Sequence, residues 1–180
     1  MMRPLLAFAD AVDWLTEQVG QTLKWLVLIA TVVSTANALV RYTLHNSSNA
    51  WLEIQWYLFA AMFMLGAGYA LKYGEHVRVD VLFSQMPPRI QAWVDVFGTI
   101  FFLMPTALII GWLAIPMVVN SFKIHEYSSD AGGLLRWPVK LMIPLGFALL
   151  GLQGLAEIVK KTAIALGIRE PGKLYERPIQ

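Results

Sequence analysis

Four stretches of the chain carry no charged side chain: residues 25–40, 54–71, 96–122 and 141–156. A helix must bring about 20 mainly apolar residues to cross roughly 30 Å of hydrocarbon. The first and last runs reach that length when Lys24, Lys140 and Lys160 extend their ammonium groups to the interface. The third run exceeds it, so tilting or bending at Pro105 and Pro116 is expected. Of the 180 residues 57% are hydrophobic and 14% charged, too few polar groups to cover a water-soluble fold of this size. The seven tryptophans suit a membrane–water interface. The chain therefore reads as an all-α membrane protein, one integral domain over residues 1–180 with four transmembrane helices near 22–41, 51–71, 94–119 and 138–160.

Orientation follows from the cations outside these runs. Ten of the 14 Lys and Arg lie in the N-terminal segment, the second connection and the C-terminal tail. The other four are Arg41, Lys123, Arg136 and Lys140. The positive-inside rule then places both termini in the cytoplasm. Residues 4–20 space Leu5, Phe8, Val12, Leu15 and Val19 by threes and fours, with Asp10, Asp13 and Glu17 elsewhere. That pattern predicts an amphipathic helix before the first span, lying on the cytoplasmic surface or against a partner. The other reading is a water-exposed extension of the span. Asp10 and Asp13 also interrupt any apolar core a secretory leader would need. Residues 165–180 mix Gly, Pro and charges and are expected to be a flexible tail.

The connection at 72–83, "KYGEHVRVDVLF", gathers Lys72, Glu75, His76, Arg78 and Asp80. As a helix it aligns Val79, Leu82, Phe83 and Met86 and pairs Glu75 with Arg78 and His76 with Asp80. Pro87 and Pro88 end it. Two readings fit: an interfacial helix with compensated charges, or a docking element in which Arg78 and Asp80 meet another subunit.

Several classes of function are disfavoured. A net charge of +2 with no basic run beyond Lys160–Lys161 gives no nucleic-acid site, and without Cys there are no disulfides or thiolate metal sites. His45, His76 and His125 fall in loops, where they are poorly placed as axial ligands of a haem within the bilayer. No paired carboxylates sit inside a span, and no broken-helix signature occurs twice as in inverted-repeat transporters. No catalytic, cofactor or metal residues are assigned. Asn37, Gln153, Glu53 and Gln55 must face protein rather than lipid, and the series Ala30/Ser34/Ala38 and Gly66/Ala70 allow close helix approach.

The stretch "NAWLEIQWYLFAAMFMLGAGYAL" with Glu53, the run His76–Asp80, the "HEYSSDAGGLLRWPVK" segment with Glu126 and Trp137, and "IPLGFALLGLQ" with Gln153 carry a resemblance. Over about 22–161 the chain resembles the DctQ-type small membrane subunit of TRAP (tripartite ATP-independent periplasmic) transporters. Leu135 departs from the proline often found before Arg-Trp-Pro. The resemblance implies a scaffold subunit of the bacterial inner membrane, packed on a large transport subunit that performs sodium-coupled uptake of an organic acid. A periplasmic binding protein would deliver that acid. It also implies that this chain holds no cofactor and is no enzyme. Glu53, Trp56, Arg78, Asp80, Glu126, Arg136 and Trp137 are the candidate subunit-interface residues. The 121–140 loop then either approaches the binding protein or is simply solvated, with Trp137 as an interface anchor. Two alternatives stand beside this reading. One is a redox-complex anchor with a quinone near Trp51, Trp56 and Tyr57; the other is a self-sufficient homo-oligomeric transporter.

Overall fold

The computed structural model describes residues 2–45, 48–74 and 86–168. Four helices in it are long and apolar enough to cross a membrane: α1 (Met2–Leu44), α2 (Asn49–Tyr73), α3 (Pro88–Lys123) and α4 (Trp137–Ala165). Among the described residues the only β pairing is an isolated bridge, so the fold is all-helical.

Local chemistry sets the helix ends. The Ser48 hydroxyl accepts the Ala50 N–H at 3.3 Å and opens α2. A proline stands in the first turn of α3 and again of α4, where its missing N–H costs nothing. Within α3 the residues Thr99–Leu103 form a π-helical turn, closed by the Met104 N–H on the Thr99 carbonyl. Pro105 follows directly. Its ring conflicts with the carbonyl four residues back, and the wider turn is the adjustment seen at this proline.

α4 is the centre. It packs against α1, α2 and α3, and α1 also packs against α2. Its buried positions are small or polar: Gly146, Gly151, Gln153, Gly154, Ala156, Glu157, Ala163 and Ala165. At Gly146 a β-carbon would lie 2.5 Å from the Met64 carbonyl oxygen, so glycine is what lets α2 and α4 approach here. The large apolar side chains point the other way. Trp25, Phe63, Phe102, Leu108 and Trp112 are exposed, while the largest fully buried side chains are Gln153, Glu53 and Ser121. A water-soluble protein would reverse that arrangement. An apolar outside around a small-residue and polar inside fits a bilayer, where lipid already solvates apolar side chains.

The N-terminal segment differs from expectation in two respects. It is no separate helix: α1 runs unbroken for 43 residues, about 65 Å at 1.5 Å per residue, roughly twice the hydrocarbon thickness. Its inward face also coincides with the apolar stripe only in part. Val12 of the stripe is buried, but Leu5, Phe8 and Leu15 are exposed, and the other buried positions are Ala9 and Thr16. α4 explains this, because it offers Ala156 for close approach and Gln153 and Lys160 as polar partners. Small and hydrogen-bonding side chains on α1 match that surface better than Leu or Phe.

Candidate functional site

Charged and polar side chains collect at the two ends of the bundle. At the end holding the 124–136 loop, α2 supplies one side chain per turn. Asn49, Glu53 and Tyr57, four residues apart, share a face of the helix. All three grip the loop backbone. Asn49 Nδ2 donates to the Ala131 carbonyl at 3.0 Å, Glu53 Oε2 accepts the Leu134 N–H at 2.6 Å, and the Tyr57 hydroxyl donates to the Leu135 carbonyl at 3.0 Å. Glu53 is 1% exposed, and a buried carboxylate persists only when such partners stabilise it. A β-carbon at Gly133 would sit 2.8 Å from Glu53 Oε1, so the loop can close over this carboxylate because position 133 has no side chain.

The loop is a short hairpin. Tyr127 pairs with Leu135, the Ser128 N–H donates to the Leu134 carbonyl at 2.9 Å, and the Arg136 N–H donates to the Glu126 carbonyl at 2.8 Å. Lys140 forms an ion pair with the Glu126 carboxylate across its base. That ammonium, with the Ser121 hydroxyl next, holds the Glu126 carboxyl below the usual carboxylate range. Arg136 Nη2 reaches Ser128 Oγ at 3.5 Å, and Trp137 meets Phe122 edge-on with centroids 5.4 Å apart. Asp130, Ala131 and Gly132 form the exposed tip.

Four of the residues expected at an interface, Glu53, Glu126, Arg136 and Trp137, thus come together around one loop. Trp56 does not join them; it is half exposed on the outer surface of α2, edge-on to Tyr57 at 5.3 Å. Arg78 and Asp80, with the expected pairs Glu75–Arg78 and His76–Asp80, lie outside the described residues. Asn49 and Tyr57 were not expected as loop anchors. The spacing of polar groups by four on the first turns of α2 was the available signal.

The opposite end holds a network that ties α1 to its neighbours. Lys160 Nζ lies 2.8 Å from Asp13 Oδ1 and 2.6 Å from Glu157 Oε1. Gln153 donates to Asp13 Oδ1 at 2.8 Å and accepts from the Thr16 hydroxyl at 2.7 Å. Lys72 bridges α2 to α1 through Glu17 Oε2 at 2.7 Å and the Asp13 carbonyl at 3.0 Å, and the Tyr73 hydroxyl donates to Glu17 at 2.6 Å. Lys161 joins α4 to α3 through Asp95 at 3.0 Å. Part of the unexpectedly charged 72–83 stretch is accounted for here, since Lys72 belongs to this network.

Both clusters join one part of the chain to another. Among the described residues, no group of three or more His, Asp and Glu could hold a metal ion. What the geometry defines is a small four-helix membrane subunit with helices and outer loop fastened in place. A family model matches residues 30–163, that of the tripartite ATP-independent periplasmic transporters, DctQ component. The chain belongs to this family and is the small membrane component of a TRAP transporter. No curated protein and no solved structure matches it. Family membership makes the chain a transporter component rather than an enzyme and removes the redox-anchor reading.

Proposed function

We propose that this chain is the static scaffold on which the large transport subunit of a TRAP importer is mounted. The large subunit carries the sodium-coupled uptake of an organic acid, and a periplasmic binding protein delivers the solute. The observation that carries the reading is how the buried polar groups are used. Glu53 secures a loop, while Gln153 and Lys160 secure α4 to α1. Transport sites instead need polar groups left open to a moving solute or ion. A scaffold needs no cofactor of its own, and none is assigned to this chain.

We take the chain to lie in a bacterial inner membrane, as its family implies, with both termini in the cytoplasm, an orientation that the ten-to-four division of Lys and Arg supports. The Lys160 end then faces the cytoplasm and the hairpin faces the periplasm. There its exposed tip, with Asp130, is in reach of the binding protein. The outward Leu5, Phe8 and Leu15 of α1 contact headgroups and upper acyl chains at the cytoplasmic surface. Arg78 and Asp80 fix the cytoplasmic connection to the large subunit.

Gentle solubilisation of membranes holding a tagged copy tests this. A large multi-span permease should co-purify, and Arg78→Ala/Asp80→Ala should weaken its recovery. Reconstituted permease should take up solute only with this chain, sodium and the binding protein present. Recovery of the chain alone, or uptake by vesicles containing only this chain, would overturn the scaffold reading.

A further inference from the structure

The membrane-spanning part of α1 exposes two unlike faces. Trp25, Ile29, Val32 and Leu39 form an apolar one. Gln21, Lys24, Leu28, Thr31, Thr35 and Ala38 form the other, at alternating steps of three and four, and all six are exposed. That spacing is the heptad seam along which one helix packs on another. Apart from Leu28 its side chains are polar or short. The exposed faces of the neighbouring helices instead carry large apolar groups, Trp56, Phe59 and Phe63 on α2 and Phe101, Phe102 and Trp112 on α3. Short side chains let a second backbone come close, which is how helices associate within a bilayer.

The row also carries a charge at depth. Lys24 lies about 10 Å along the helix from Glu17, which meets Lys72 at the charged end. A β-carbon at Gly66, within the uncharged run of α2, would stand 3.5 Å from Leu23 Cδ1, so this turn of α1 lies beside membrane-spanning sequence. Among the described residues Lys24 meets no carboxylate; its Nζ donates to the neutral Gln21 Oε1 at 2.6 Å. A cation at this depth calls for an acid. At the outer end of the row, Asn37 beside Ala38 is 8% exposed, and its Oδ1 finds no donor among the described residues.

We propose that this row is where a transmembrane helix of the large subunit docks, bringing a carboxylate to the depth of Lys24 and a hydroxyl or amide donor to Asn37. The inference rests on the scaffold reading and names the helix face that it uses. A second copy of this chain does not fit. Two copies inserted the same way and packed on this row would set Lys24 against Lys24, and Glu17 is already taken by Lys72 and Tyr73. Acyl chains do not fit either, since they offer Lys24 no charge and Asn37 no donor.

The test uses the chain co-expressed with its large subunit and gently solubilised. A photo-crosslinker at position 31 or 35 should capture the large subunit, identified by mass spectrometry of the adduct. Thr31→Phe/Thr35→Phe forces bulk into the close contact and should cut recovery of the large subunit about 10-fold. Ile29→Phe/Val32→Phe, on the apolar face beside the row, should leave recovery unchanged. Lys24→Glu should lower recovery, and changing one Asp or Glu of the large subunit to Lys should restore it. The substituted positions are all exposed in the chain, so its own Tm should hold. Crosslinks to lipid or to a second copy, or full recovery with Thr31→Phe/Thr35→Phe, would overturn the docking row and leave the scaffold reading standing. A wild-type chain that brings down no large subunit would overturn both.

Discussion

The two ends of the bundle use the same kinds of side chain for opposite tasks. At one end Asp13, Glu17, Lys72, Asp95, Lys160 and Lys161 join helix to helix, side chain to side chain, and Glu157 supports Lys160 within α4. At the other, Asn49, Glu53 and Tyr57 hold loop backbone, and among the described residues there only Glu126 and Lys140 form an ion pair. The difference follows from what each end must satisfy. Before its uncharged run, α1 carries acidic side chains at Asp13 and Glu17 that need cationic partners, and Lys72 of α2 and Lys160 of α4 supply them. Where a hairpin returns to the bundle, its backbone N–H and carbonyl groups need partners, and a helix face supplies them.

Breaking the charged end should have the largest effect. Lys160→Met leaves Asp13 and Glu157 side by side with no cation between them. Their side chains are 22% and 12% exposed, so the penalty falls below that of a fully buried pair, at about 2–3 kcal/mol. Thermal unfolding in detergent should show a clear drop in Tm, and Asp13→Asn added to Lys160→Met should recover much of it. An unchanged Tm would mean that charge does not hold α1.

Next in size is a control that strains both ends alike. Gly146→Ala places a β-carbon against the Met64 backbone carbonyl, which can yield only if α2 and α4 move apart. The expected loss is about 1–3 kcal/mol, the range for overpacking a tight contact. Cysteine accessibility should rise at the hairpin and at the Lys160 end together. A rise at one end alone would show that the two ends move independently.

A smaller and more local effect is expected at Glu53. Glu53→Gln keeps an acceptor for the Leu134 N–H but removes its charge, and charge-assisted bonds are roughly twice as strong as neutral ones. Cleavage by an added protease at residues 129–132 should quicken several-fold through more frequent opening of the hairpin. Tm should barely move. A variant that lowers Tm as much as Lys160→Met would show the hairpin to be part of the bundle's core stability.

These contrasts also explain what could be read from sequence. The spans were legible because apolar run length answers directly to bilayer thickness. Glu53, Glu126, Arg136 and Trp137 were singled out through the family resemblance as interface residues along with Trp56, Arg78 and Asp80, but their gathering around one loop was not foreseen, because it depends on how that loop folds back on α2. The inward face of α1 was not legible either. Periodicity marks an apolar stripe at Leu5, Phe8, Val12, Leu15 and Val19, but a stripe does not tell whether lipid or protein covers it. Here protein covers Val12 together with the small Ala9 and polar Thr16 beside it, while Leu5, Phe8 and Leu15 stay exposed. Nor could the partners of Lys160 be foreseen, because Asp13 lies 147 residues away in the chain.

The gentlest way to separate the ends is pH. The Glu126 carboxyl titrates below its ordinary value because Lys140, and then Ser121, stabilise its charged form. A carboxyl depressed on folding adds stability that is fully present above the unfolded value. That contribution is lost as pH falls through the folded value. Protease protection of the hairpin should therefore be flat near neutrality and should decline only below the ordinary carboxylate range. Glu126→Gln should weaken protection at neutral pH and flatten the acid decline, because no proton is then taken up at this position. If wild type and Glu126→Gln lost protection in parallel on acidification, the proton would be acting elsewhere in the hairpin, with Glu53 the next carboxylate to vary.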